Sequence, residues 1–128
     1  MNPRAEYVRT IQQGETIKDL IEELKALAWV NNVEFAVVQL KTRQRFIVRG
    51  GPKGIEFLLN EEETEVLVLL ENRLVPIRRI FFHTHPRVTG PSEDDFKILK
   101  ILGQTRSIIL EIGGETGGTV IRPKETDL

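Results

Sequence analysis

The chain contains no cysteine. That excludes disulfide staples, thiolate nucleophiles and cysteine-ligated metal sites. Charge of one sign is also missing, because 18 Lys and Arg face 19 Asp and Glu, for a formal net charge of −1. Sequence-independent nucleic-acid binding needs a basic face, so no nucleic-acid partner is expected. No apolar run approaches the roughly 18–20 residues of a membrane helix, and the first residues lack the apolar core of a signal peptide. These features lead to the expectation of a cytoplasmic protein with no membrane partner. Internal repeats and low-complexity segments are absent too.

What remains is one domain's length of ordinary globular composition, 128 residues with 29% charged. A single domain over 1–128 is expected, with 1–13 and 123–128 as loosely ordered flanks. Within the first flank, Tyr7–Ile11 alternates as an edge strand does. Ile17, Leu20, Ile21, Leu24, Leu27 and Ala28 recur at helical spacing after Thr16, so residues from about 17 to 30 should form a helix with one buried stripe. Trp29 is expected to pack beneath its end, with a place at a partner surface as the alternative. Val33–Leu40 reads as a buried strand, Lys41–Gln44 as a polar turn and Arg45–Arg49 as the returning strand. Arg49–Gly54 is a plain turn, with no phosphate-loop ending. Asn60–Asn72 is ambiguous. Its Asn60-x-x-Glu63 start and three consecutive Glu favour a helix, whereas Val66–Leu70 would also serve as a strand.

The only two histidines stand two residues apart in Ile80-Phe81-Phe82-His83-Thr84-His85-Pro86. Ile80–Phe82 read as a short buried strand. Side chains at i and i+2 of an extended segment share a side, so His83 and His85 can aim two imidazoles at one point. Gly90-Pro91 turns the chain, and Ser92 opens an apolar-periodic run with Asp95 on its first turn. Ser92-x-x-Asp95 is close to a helix capping box, and that cap would itself fix the backbone presenting Asp95. Two His and one Asp make the three-ligand set of a catalytic zinc, whose fourth position is left to water.

This order of elements resembles the JAMM motif of the JAB/MPN-type zinc metalloproteases. It stands here as His83-Thr84-His85-Pro86, a loop, and Ser92-Glu93-Asp94-Asp95. The elements read as an α+β or α/β fold, with the sheet packed against the first helix and the second helix covering another face, and the resemblance implies a curved, mixed β-sheet flanked by helices. It implies one Zn2+ per chain, held by His83, His85 and Asp95, with Ser92 supporting the oxyanion. The loop from Arg87 to Pro91 is one residue shorter than in the usual members, which leaves Asp94 as an alternative ligand. Asp95 keeps the Ser-x-x-Asp spacing.

The family's catalytic Glu lies at the start of a strand after the first helix, and Glu34 occupies that place, without the Cys-Gly pair that often follows. The implied activity is hydrolysis of a peptide or isopeptide bond, on a protein or peptide substrate such as one carrying a ubiquitin-like modifier. Leu102-Gly103-Gln104 and Ile108–Glu111 further resemble the continuation of JAB-type domains in bacterial polymorphic toxins. That likeness implies a toxin or secreted-effector peptidase as an alternative. A non-catalytic zinc-binding module is the alternative of another class.

Overall fold

The computed structural model describes residues 5–51, 54–85, 93–111 and 119–121. Its elements are β1 (Glu6–Thr10), α1 (Ile17–Asn31), β2 (Phe35–Leu40), β3 (Arg45–Arg49), β4 (Phe57–Leu59), β5 (Val66–Leu70), β6 (Arg73–His85), α2 (Glu93–Leu102), β7 (Ser107–Glu111) and β8 (Thr119–Ile121). They make a mixed α+β protein around one mostly antiparallel sheet. The path is β1-β3-β2-β6-β5-β4, with β7 pairing β6 and β8 pairing β7. No helix among the described residues is long and apolar enough to cross a membrane. Residues 123–128 lie outside the described residues, and the N-terminal flank contributes β1.

α1 starts where Thr16, in extended backbone, accepts a hydrogen bond from the Asp19 N–H at 3.1 Å. It ends at Asn32, whose φ of 53° supplies the left-handed cap. Leu20, Leu24 and Ala28 repeat every four residues and are buried against Phe35, Val37, Ile47, Phe82 and Leu110 on one sheet face. Trp29 does not pack there. It follows Ala28 by one residue, about 100° round the helix, and is 73% exposed beside Val30.

The opposite face buries Ala36, Val38, Val48, Val66, Val68, Ile77 and Ile80, with Ile98, Ile101 and Leu102 of α2 packed on them. The two helices thus cover the two faces. The sheet is strongly curved: Ala5 forms a parallel bridge to Leu70, its N–H donating to Leu69 O at 3.0 Å, so the start of β1 comes round to the end of β5.

The helix favoured over Asn60–Asn72 is not formed. Asn60 Oδ1 accepts from the N–H groups of Thr64 and Glu65, at 2.8 and 2.9 Å, and Glu63 takes a φ of 54°. The three Glu are therefore spent in a turn, and Val66–Leu70 is free to pair as a strand with both β4 and β6. Glu71 and Asn72 then take φ of 45° and 72°, and Leu70 faces Arg73. Positive φ at both central residues is what a tight two-residue hairpin needs.

β6 is the longest strand, and one of its sides is shared. β5 covers it from Arg73 to Ile77, and β7 covers it in parallel from Phe82 to His85. Between them the Gln104 side chain takes the place of a strand. Its Oε1 accepts from Ile80 N at 2.7 Å, and its Nε2 donates to Ile80 O at 2.8 Å and to Arg106 O at 3.1 Å. β6, α2 and β7 form a βαβ crossover, and their parallel pairing ends at His85.

Away from the site, Arg9 of β1 bridges to Glu15 and Glu23 at 2.5 and 2.6 Å, tying the strand to α1. Hydrogen bonding to Arg9 holds the Glu15 carboxyl down at about 2, against an ordinary 4.5. Between those values the unfolded chain binds the extra proton, so stability falls as pH falls. The stability difference between the parent and Glu15→Gln should be full above pH 4.5 and vanish toward pH 2, as read from urea midpoints across that window. Gln104→Ala, which leaves the buried Ile80 N–H unpaired, should cost about 1–3 kcal/mol in the same assay.

Candidate metal centre

The geometry of the centre depends on a change of phase within β6. Val38 pairs with Ile80 and Val37 with Phe82, so Phe81 is an extra residue with no partner in β2. A second extra residue, Arg78, lies between the pairs Gln39–Arg79 and Leu40–Ile77. Each such bulge exchanges the faces of the residues beyond it. Beyond Phe81, Phe82 joins the α1 face with Val37, and His83 falls on the α2 face opposite Ala36. His85 follows His83 by period two.

Continuing the antiparallel register past Ala36–His83 brings Phe35 opposite Thr84 and Glu34 opposite His85. Thr84 secures this step, because its buried hydroxyl oxygen accepts from Phe35 N at 2.9 Å. The Thr between the histidines therefore points to the other face and clasps the strand that carries Glu34.

Glu34, His83 and His85 converge. One ligand atom from each can be chosen so that all lie within 4.8 Å of one another. His83 Nε2 and His85 Nε2 are 3.1 Å apart, and His85 Nε2 is 3.7 Å from Glu34 Oε1. Two nitrogens bound tetrahedrally to one ion would sit roughly 3.4 Å apart, given metal–nitrogen bonds of about 2.0–2.1 Å. The histidine spacing is close to that, and the donor set of two imidazoles and a carboxylate suits several first-row divalent ions. The three residues could hold a metal ion. His83 is buried, and the Glu34 and His85 side chains are only 16% and 13% exposed. A carboxylate so enclosed requires polar or charged partners.

Gly50, within the Arg49–Gly54 stretch read from sequence as a plain turn, and Ile55, just after it, supply some of them. Gly50 N donates to Glu34 O at 2.8 Å, and Ile55 N donates to Glu34 Oε2 at 3.0 Å. The Glu34 backbone and one carboxylate oxygen are thereby fixed, and Oε1 is the oxygen directed to His85. Gly54 has a φ of 115°, and a Cβ there would fall on Glu34 Oε2. Only glycine lets the loop lie across the carboxylate. The sequence signal was Gly50-Gly51-Pro52-Lys53-Gly54 following a strand, but nothing local connected it to Glu34.

The structure thus brings together three of the six residues singled out from sequence, Glu34, His83 and His85. Ser92 lies outside the described residues. Asp94 and Asp95 fall on the first turn of α2, and their side chains lie outside the described part. Gln104, which keeps β6 paired between β5 and β7, carries no sequence signal beyond the Leu102-Gly103-Gln104 likeness. No protein-family model, curated protein or solved structure matches the chain.

Gly54→Ala should destabilise the fold by about 1–3 kcal/mol, from the left-handed φ and from displacing the carboxylate. In a Glu34→Ala background the collision is gone and only the φ cost remains. Chemical denaturation of the four chains of this double-mutant cycle should show a coupling of about 1 kcal/mol or more.

Proposed function

We propose that the protein is a zinc-dependent peptidase or isopeptidase of the JAMM type. The observation that carries this reading is the position of Glu34. A carboxylate far from the histidines in sequence lies at the start of a neighbouring strand, on their face, 3.7 Å from His85 Nε2. That is the relation the motif resemblance requires between a general base and a histidine-held ion. The site's place at the carboxyl end of the parallel β6–β7 pair also agrees, since ligands of open α/β sheets bind beyond strand ends.

In this reading His83 and His85 hold the ion through neutral imidazoles, with Asp95 as the third protein ligand. Bound zinc would supply a Lewis acid that brings water ionisation toward neutral pH and polarises the scissile carbonyl. Glu34, with Oε2 held by the Ile55 N–H, keeps Oε1 for the proton taken from the attacking water and later given to the leaving amine. The Ser92 hydroxyl donates to the oxygen of the attacked carbonyl as negative charge develops there. Thr84 and the Gly50–Ile55 segment act as positioning elements that hold Glu34 at working distance. The substrate class is a peptide or isopeptide bond, and a protein carrying a ubiquitin-like modifier is one such substrate.

Elemental analysis of the purified protein supplied with zinc at neutral pH should give about one zinc per chain, lost in the His83→Ala, His85→Ala double variant. Glu34→Gln should keep the zinc and abolish cleavage in a screen of peptide and isopeptide substrates, with a rate loss of at least 100-fold by the usual scale of acid–base catalysis. No zinc in the parent chain would overturn the hydrolase reading. Loss of zinc in Glu34→Gln would make Glu34 a ligand and not the base. Zinc without hydrolysis in any screen would favour a binding module whose ion is structural.

A further inference from the structure

A concavity lies on the α1 side of the sheet, away from the face that carries Glu34, His83 and His85. Its volume is about 610 Å³, and it opens where neither β5 nor β7 covers β6. That volume falls in the range of small-molecule sites, which run from roughly 300 to 1,000 Å³. Its walls include Phe81, Phe82 and Ile108, with Ile17 at the first turn of α1, and Arg79 and Arg106 bring two cations to it.

The polar atoms of the inner wall are already engaged within the protein. Gln104 is bonded to the Ile80 amide and carbonyl and to Arg106 O, and the Ser107 hydroxyl reaches Ile80 O and Phe81 O at 3.0 and 3.1 Å. What is left to meet a ligand is an apolar floor, the exposed Thr105 and two guanidinium groups. The Arg79 guanidinium carbon lies 5.6 Å from the Phe81 ring centroid, a stacked placement that leaves the N–H fork to an anion. Among the described residues neither Arg79 nor Arg106 is ion-paired with a carboxylate, in contrast to Arg9, which holds two. The bulge at Phe81 contributes to both sites. It turns the histidines to one face, and the same residue lines the cavity on the other.

We propose that this cavity binds a small organic anion with an apolar body, its carboxylate or phosphate held between Arg79 and Arg106 and its ring or chain on Phe81 and Ile108. The proposal does not rest on the metal-site reading, and binding should persist in the His83→Ala, His85→Ala chain.

The test is an NMR titration of the isotopically labelled full chain with phenyl phosphate, benzoate and inorganic phosphate, following the amides of Phe81, Arg106 and Ile108. Phenyl phosphate or benzoate should give saturable shifts at these amides, and whichever binds identifies the head group. The affinity should fall at least tenfold in Arg79→Ala, Arg106→Ala, whose exposed side chains can be removed without opening the core. Inorganic phosphate should bind at least tenfold more weakly than the aryl anion. Absence of saturable shifts with both aryl anions, unchanged affinity in the double variant, or equal binding of inorganic phosphate would each overturn the proposal.

Discussion

The pairing of β2 with β6, and the extra residue Phe81 within it, is the constraint from which the rest of the site follows. Strand side chains alternate, so one unpaired residue decides which face every later residue occupies. With Phe81 bulged, Phe82 enters the core under α1 while His83 and His85 turn to the α2 face, where Glu34 arrives from the opposite strand. Without it, the same sequence would send both imidazoles into the apolar layer beneath α1, where polar partners are scarce. Thr84 benefits from the same phase. It points into the buried side and uses its hydroxyl to bind the first amide of β2.

Much of this was legible in the residues, for stated reasons. The His83-Thr84-His85 spacing needs only an extended backbone to present two rings together, and the strand was evident from Ile80–Phe82. α1 was evident from its stripe and its Thr16 cap. Glu34 came from resemblance alone, because its partners are distant in sequence: the loop ending at Ile55 and the end of β6. The segment from Asn60 to Asn72 was misread because a run of acidic residues suits a helix start, yet a side-chain amide that bonds two successive backbone N–H groups makes a turn just as well. Trp29 was misplaced because the helical stripe ends at Ala28 and the next residue points elsewhere. Register carries no local signature, so the bulges and the replacement of a strand by Gln104 could not be read from composition or periodicity.

The histidine cluster and the cavity share a structural origin. β6 is too long for any one neighbour, and its uncovered middle needs both a side-chain substitute and a change of phase. Gln104 answers the first need by saturating Ile80, which rigidifies the wall that Arg106 extends. Phe81 answers the second. One stretch of backbone thus presents imidazoles on one side and guanidinium groups on the other. Chemistry that differs so much on the two faces is kept apart by the thickness of a single sheet.

The tight turn at Glu71–Asn72 bears on how the chain reaches this state. It makes β5 and β6 a local hairpin, and the turn after Leu40 does the same for β2 and β3. Such units form in microseconds, whereas joining β2 to β6 closes a long loop and is slow by comparison. Glu34 belongs to one hairpin and both histidines to the other. The three side chains therefore meet only when the two hairpins pair, and the β5–β6 hairpin alone carries both imidazoles without the carboxylate. An ion held by His83 and His85 would stabilise the folded chain only by as much as it binds the native site more tightly than the unfolded chain.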